Sequence, residues 1–224
     1  MHADIEKKRI AKLEKIRISD LVNLKKELIL ASKSPRRRQL LEQLGFEFEV
    51  IPASIDEDDF PEDIDPAYHV ANLALKKALF TAKKIVEPSI VLGSDTIVVL
   101  NGRILNKPQD AEDAVRMLQT LSGNTHTVFS GIALVETDTG RQASKTQATQ
   151  VTFRHLNDDE IRAYVKTGSP LDKAGGYGIQ DDFGAVFVSR VEGCYYNIVG
   201  LPLELLYVTM RDFLKVEKNI SLEE

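Results

Sequence analysis

Apolar and polar positions along this chain fall into blocks whose period changes from two to nearly four and back. Glu27-Leu28-Ile29-Leu30-Ala31 is a short continuous apolar run, which predicts a buried strand. After Ser32-Lys33-Ser34-Pro35, the leucines at 40, 41 and 44 predict a helix that stops at Gly45. Ser34 suits its N-cap and Pro35 its first turn. Phe46 to Ile51 alternates like a strand, and Leu73, Ala74, Lys77 and Ala78 share related faces of a helix leading toward Ser89. Ile90 to Leu100 predicts a strand pair or one bent strand with polar residues at its middle, followed by an Asn101-Gly102 hairpin turn.

Asp110 caps a helix through Ala114, Met117, Leu118 and Leu121, closed by Gly123. Val128–Val135 and Thr149–Phe153 predict strands, and Asn157 with Glu160 forms a capping box for a helix ending at Gly168. Gly184–Val191 predicts another strand, and Pro202 opens a last helix. Strands and helices alternate, so the class is α/β with a mixed sheet.

The length of 224 residues suits one domain or one fold with two lobes. At this size roughly 70% of the unfolded surface can be buried, so folding needs no staple. Residues 1–26 are rich in Lys, Arg and Glu with sparse apolar positions, which predicts a charged extension; residues 27–217 form the domain and 218–224 a tail. No run approaches the length of a membrane span, and the start of the chain lacks an apolar signal core. One cysteine, Cys194, excludes an internal disulfide framework and suits the cytoplasm. The net charge is −5, aromatics make up 7% and there is no Trp, which argues against a stacking surface for single-stranded nucleic acid.

Four places break local rules. Arg36-Arg37-Arg38 sits where a helix start concentrates positive partial charge. A bound anion removes that conflict; a solvated basic face is the alternative. Asp95 lies inside an apolar stretch, where an ionised carboxylate must be paired, metal-bound or open to a cleft, unless it sits in a tight turn. Lys107-Pro108 is a lone basic step in a loop. Asp172-Lys173-Ala174-Gly175-Gly176-Tyr177-Gly178-Ile179-Gln180 carries three glycines that permit close backbone approach to a ligand, without the order of a Walker A loop. Metalloprotease histidine spacing and the Gly-x-Ser-x-Gly elbow are absent, and His126 and Cys194 read as structural.

Taken in order, several stretches resemble the Maf family of nucleoside triphosphate pyrophosphatases. They are Leu28 to Arg37, Gly93 to Val98, Lys107-Pro108, Leu121 to His126, Asp172 to Gln180, and Tyr196 to Leu203. The resemblance implies a fold like that of the inosine triphosphate pyrophosphatases, an elongated mixed sheet with two lobes flanking a cleft. It implies cleavage between the α and β phosphates with Mg²⁺ or Mn²⁺, as clearance of non-standard nucleotides or control of the pool. Arg36, Thr96 and Gln180 match the branch that prefers dTTP and UTP and would read the base; a sister branch prefers 7-methyl-GTP. Asp95 would be the proton acceptor, the metal ligand or both, with Glu57 as a second metal-associated carboxylate. Ser32, Arg37, Lys77 and Lys107 would gather phosphate oxygens. Two departures stand out: Ser94 where the branch has Ala, and Asp181-Asp182-Phe183 where a glycine usually follows Gln180. The resemblance leaves open a nucleotide-responsive regulator of cell division, the oligomeric state (a homodimer included) and the purpose of the extension.

Overall fold

The computed structural model describes residues 17–55, 64–180 and 182–220, with the side chains of Asp182 and of 216–220 outside that description. Glu57 and Asp181 lie outside the described residues. The elements are α1 (Ile18–Val22), β1 (Glu27–Leu30), α2 (Pro35–Gln43), β2 (Glu49–Val50), α3 (Pro66–Ala82), β3 (Ser89–Leu100) and β4 (Arg103–Leu105). They continue with α4 (Ala111–Leu121), β5 (Thr125–Glu136), β6 (Gln142–Phe153), α5 (Asp158–Lys166), α6 (Asp182–Phe187), β7 (Val188–Glu192), α7 (Tyr195–Val199) and α8 (Leu203–Ile220). Two short 3₁₀ turns, Ser169–Asp172 and Ala174–Gly176, separate α5 from α6.

One seven-stranded sheet runs in the order β2-β1-β3-β5-β6-β7, with β4 on the far end of β3. β1 pairs in parallel with β2 and β3, and the other ladders are antiparallel, so the class is mixed α/β. Helix α2 leaves β1 on one face of the sheet, where Leu40 and Leu41 join Leu28, Leu30, Ile90 and Leu92. Helix α3 covers the other face, where Ala74 and Ala78 meet Ile29, Ala31 and Val91. Ligands of open α/β sheets bind beyond the carboxyl ends of strands whose connections diverge in this way.

The sheet and α3 lie closer than side chains ordinarily allow. A Cβ at Gly93 would come 2.0 Å from the Ala74 carbonyl oxygen, and one at Gly131 would come 2.2 Å from that of Val70. Only glycine permits this approach. The capping expected from the sequence is present: the Ser34 side chain caps α2, Asp110 caps α4, and Asn157 with Glu160 boxes the start of α5.

Of the two readings offered for Ile90–Leu100 the single strand holds, and two other expectations change. Ile90–Leu100 belongs to one continuous strand, because antiparallel β5 backs it from Ile90 to Val99. The strand expected over 184–191 splits. Residues 182–187 are helical, because Phe183 and Phe187, one turn apart, both pack against Tyr164; only Val188–Glu192 joins the sheet. The charged extension is not wholly outside the fold: α1 buries Val22 in the same cluster as Met210 and Phe213 of α8. Lys26 then ties this end to the β5–β6 hairpin, bonding buried Glu136 at 2.6 Å and Asp138 at 2.9 Å.

Candidate active site

Strand β1 ends its ladder with β3 at the Leu30–Leu92 pair, while β3 runs on to Leu100. One edge of β3 loses its parallel neighbour there, and Ser94, Asp95 and Thr96 occupy the notch. The two faces of β3 then divide the work. Asp95 shares the Gly93 face and meets α3, where Lys77 Nζ donates to its Oδ1 at 2.7 Å. Ser94 and Thr96 point to the other face, between two hydrophobic clusters: one around β1, α2 and α8, the other around α4, α5, Tyr177 and Phe187. The cleft between them has a volume of about 380 Å³.

Ser32, Arg36, Arg37, Lys77, Thr96, Lys107 and Gln180, picked from sequence, all line this cleft. Asp95 lies just beneath, held by Lys77, and not in a tight turn. Its other oxygen has no hydrogen-bond donor among the described residues. The three arginines part company. Arg38 faces solvent and pairs with Glu42 one turn on. Arg36 Nη1 reaches Asp172 Oδ2 at 3.2 Å. Arg37 turns inward, donating from Nε to the Gly200 carbonyl (2.8 Å), from Nη1 to Ser32 Oγ (3.1 Å) and from Nη2 to Thr96 Oγ1 (3.0 Å).

Thr96 was expected to read a base, yet its hydroxyl is already engaged by Arg37, by Ser130 Oγ at 2.8 Å and by the Gly200 carbonyl at 3.4 Å. Ser94 Oγ also donates to the Gly200 carbonyl, at 3.2 Å, so the extra hydroxyl has a buried partner. Gln180 and Lys107 are exposed to the cleft and make no hydrogen bond or ion pair among the described residues.

The glycine-rich segment packs inward more than it opens. A Cβ on Gly175 would meet Val98 Cγ2 at 2.9 Å, which presses the segment onto β3. Two tyrosine hydroxyls then pin it: Tyr177 Oη lies 2.7 Å from His126 Nε2, and the Gly178 N–H donates to Tyr164 Oη at 3.2 Å. Burial lowers the His126 pKa to about 4 and pushes the Tyr177 phenol up. Both groups are therefore neutral at pH 7, in keeping with a structural histidine. Burial also lowers the pKa of His69, on α3, against the pull of the Asp95 charge.

A model of the family described as Maf-like protein matches residues 27–213. The chain belongs to the Maf family. A dTTP/UTP pyrophosphatase of Clostridium perfringens is 47% identical over 189 residues, covering 84% of this chain and 97% of that protein. Another, from Moorella thermoacetica, is 51% identical over 177 residues, 79% of this chain and 90% of the relative. A solved nucleoside-triphosphatase / dITP/XTP pyrophosphatase from Mycobacterium abscessus aligns with a TM-score of 0.36 and 17% identity over 58% of this chain and 75% of that one, a likeness too loose to argue from.

Sequence reading missed two groups of this Maf cleft. Gly200, whose carbonyl gathers Arg37, Ser94 and Thr96, acts through backbone and leaves no side-chain signal. Asp172 and Lys173 were visible only as flanks of the glycines. Lys173 is buried and donates to Asp172 Oδ1 (2.8 Å), to the Ser169 carbonyl (2.5 Å) and to Ser169 Oγ (2.9 Å). Partial burial pushes the Asp172 carboxyl up, but the Lys173 hydrogen bond and the Arg36 charge outweigh it and hold it below the usual range.

Proposed function

We propose that this chain hydrolyses dTTP and UTP between the α and β phosphates, releasing a nucleoside monophosphate and pyrophosphate. One observation carries the reading: Lys33, Arg36, Arg37, Lys77, Lys107 and Lys173 converge on one cleft against the carboxylates of Asp172 and, beneath it, Asp95. Such an excess of cations suits a polyphosphate, whose cleavage depends on charge neutralisation and a positioned water. The names of the relatives point to the same reaction.

In this reading Ser32, Arg37 and Lys107 hold phosphate oxygens, and Lys77 both contacts phosphate and orients Asp95. Asp95 accepts the proton of the attacking water. Thr96 acts on selectivity through Arg37, whose guanidinium it fixes. The Gln180 amide offers one acceptor and two donors, which complement the N3–H and a carbonyl of uracil or thymine. Arg36 completes the base-facing set.

The family implies a divalent cation. No cluster of three or more His, Cys, Asp or Glu among the described residues could hold one alone. Asp95, with one oxygen open, fits a Mg²⁺ or Mn²⁺ that takes one or two carboxylates and completes its shell with phosphate oxygens and water. Glu57 is the second carboxylate proposed. When bound, the ion would neutralise charge developing on the phosphates.

No described helix is long and apolar enough to cross a membrane, and the reading expects a cytoplasmic enzyme acting on the nucleotide pool. The test is a panel of dTTP, UTP, CTP, GTP, ITP and 7-methyl-GTP with Mg²⁺ or Mn²⁺, with products separated by ion exchange. Monophosphate plus pyrophosphate, fastest from dTTP and UTP, is expected. Diphosphate plus orthophosphate, or binding without turnover, would overturn the proposal.

A further inference from the structure

Arg36 and Asp172 are 136 positions apart and meet at the mouth of the cleft. Each is rooted in a different lobe. Helix α2 carries Arg36 and buries Leu40 and Leu41 in the first cluster, whereas the segment after Asp172 packs Ala174 and Tyr177 against the second. The contact therefore spans the opening through which any ligand enters.

The contact is also asymmetric. Lys173 is fixed, with a side chain only 8% exposed and two Ser169 oxygens as further partners. It takes Oδ1 of Asp172, which turns Oδ2 toward Arg36. Arg36, 25% exposed, is the long and adjustable member. A carboxylate in a cleft that binds polyphosphate repels the ligand, so its presence calls for a compensating role. Orienting a guanidinium supplies one, because the planar fork discriminates acceptors only when its direction is set.

We propose that Asp172 is a positioning residue for base selection: it holds the Arg36 guanidinium across the cleft mouth so that its donors face the base. This rests on the function proposed above. A guanidinium donates to the C4 carbonyl of uracil or thymine and cannot do so to the C4 amino group of cytosine. UTP and CTP carry the same charge and have the same size, so their ratio isolates this effect.

Asp172→Asn changes two things. It relieves repulsion for every triphosphate equally, which cancels in the ratio. It also weakens the hold on Arg36, which does not cancel. The experiment measures kcat and KM for UTP and CTP with wild type, Asp172→Asn, Arg36→Met and the double variant. The expected result is a UTP/CTP ratio of kcat/KM about 3- to 10-fold lower in Asp172→Asn, carried mainly by KM. Arg36→Met should lower it at least as far, and the double variant should match Arg36→Met. An unchanged ratio in Asp172→Asn would overturn the proposal, as would a double variant less selective than Arg36→Met. If wild type cleaves neither dTTP nor UTP, the proposed function falls. Equilibrium binding of UTP and CTP to the same four proteins then decides the role of Asp172, by the same ratios.

Discussion

Replacing Lys77 with Met separates the structural part of the Lys77–Asp95 pair from its chemical part. The two groups are 2.7 Å apart, and their side chains are 6% and 7% exposed. Met keeps most of the stem and removes the charge, so Asp95 retains a negative charge where little water reaches. Removing one member of a buried pair costs about 3–5 kcal/mol. The cleft lets some water reach Asp95, which argues for the lower end, about 3 kcal/mol. With a urea m-value of about 2–3 kcal/mol per molar, the unfolding midpoint should fall by about 1–1.5 M. Adding Asp95→Asn to that variant leaves no stranded carboxylate and should restore about 2 kcal/mol. Pyrophosphate release from dTTP should be lost in Asp95→Asn and in the double variant alike. Far-UV circular dichroism in urea and a pyrophosphate-coupled assay read the two halves. A double variant no more stable than Lys77→Met would refute the coupling. A double variant that regained turnover with stability would refute a chemical role for Asp95.

Stability should also depend on pH through His126. Its pKa is about 4 in the fold against 6.5 when unfolded, so both states are neutral above pH 6.5 and the full contribution is present there. As pH falls from 6.5 to 4, the unfolded chain takes the proton first, and stability should drop by about 3 kcal/mol, read as a falling urea midpoint across that window; a flat midpoint would contradict the burial argument. Gly131→Ala should destabilise by about 3 kcal/mol and lower activity, because its Cβ would sit 2.2 Å from the Val70 carbonyl and push α3, with Lys77, off the sheet. Truncation to residue 25 removes Val22, 5% exposed, and should lower stability by about 2 kcal/mol while dTTP turnover survives at low temperature; lost turnover in a folded truncation would tie this end to the cleft. Gln180→Glu should lower the kcat/KM ratio of dTTP over 7-methyl-GTP by about 5- to 150-fold, since a carboxylate lacks the amide donors; an equal fall for both would make Gln180 architectural.

What the sequence made legible was local or anomalous. Ser34, Asp110 and Asn157 announced helix starts because a short polar side chain bonding its own backbone acts within four residues. Asp95 announced itself because a carboxylate in an apolar run needs a partner, and Lys77 is that partner. The strand expected at 184–191 failed for a general reason: a short apolar run does not separate strand from helix. Phe183 stacking on Tyr164 and Phe187 meeting it edge-on decided it, and that ring comes from another element. The three arginines part company for a similarly non-local reason. Successive helical residues point about 100° apart, so one enters the cleft floor, one its mouth and one the solvent. Which is which depends on Gly200 and Asp172, both more than a hundred positions away.

The cleft itself is a consequence of unequal strand lengths. β1 contributes four residues and β3 twelve, so β3 runs on without its parallel neighbour after Leu92. Closing that edge with a longer β1 would fill the notch beside Ser94–Thr96 and leave no room for a ligand. Leaving it open exposes a strand whose alternation sends Asp95 to one face and Thr96 to the other. A carboxylate and a guanidinium-binding hydroxyl thus stand one residue apart yet serve opposite walls, Asp95 through Lys77 on α3 and Thr96 through Arg37 on α2. Both helices pack across β3, α2 reaching Ile90 and Leu92 on one face and α3 reaching Val91 on the other, so displacing either wall disturbs the other through that strand. This is why Gly131→Ala, which never touches the cleft, is expected to be felt in turnover.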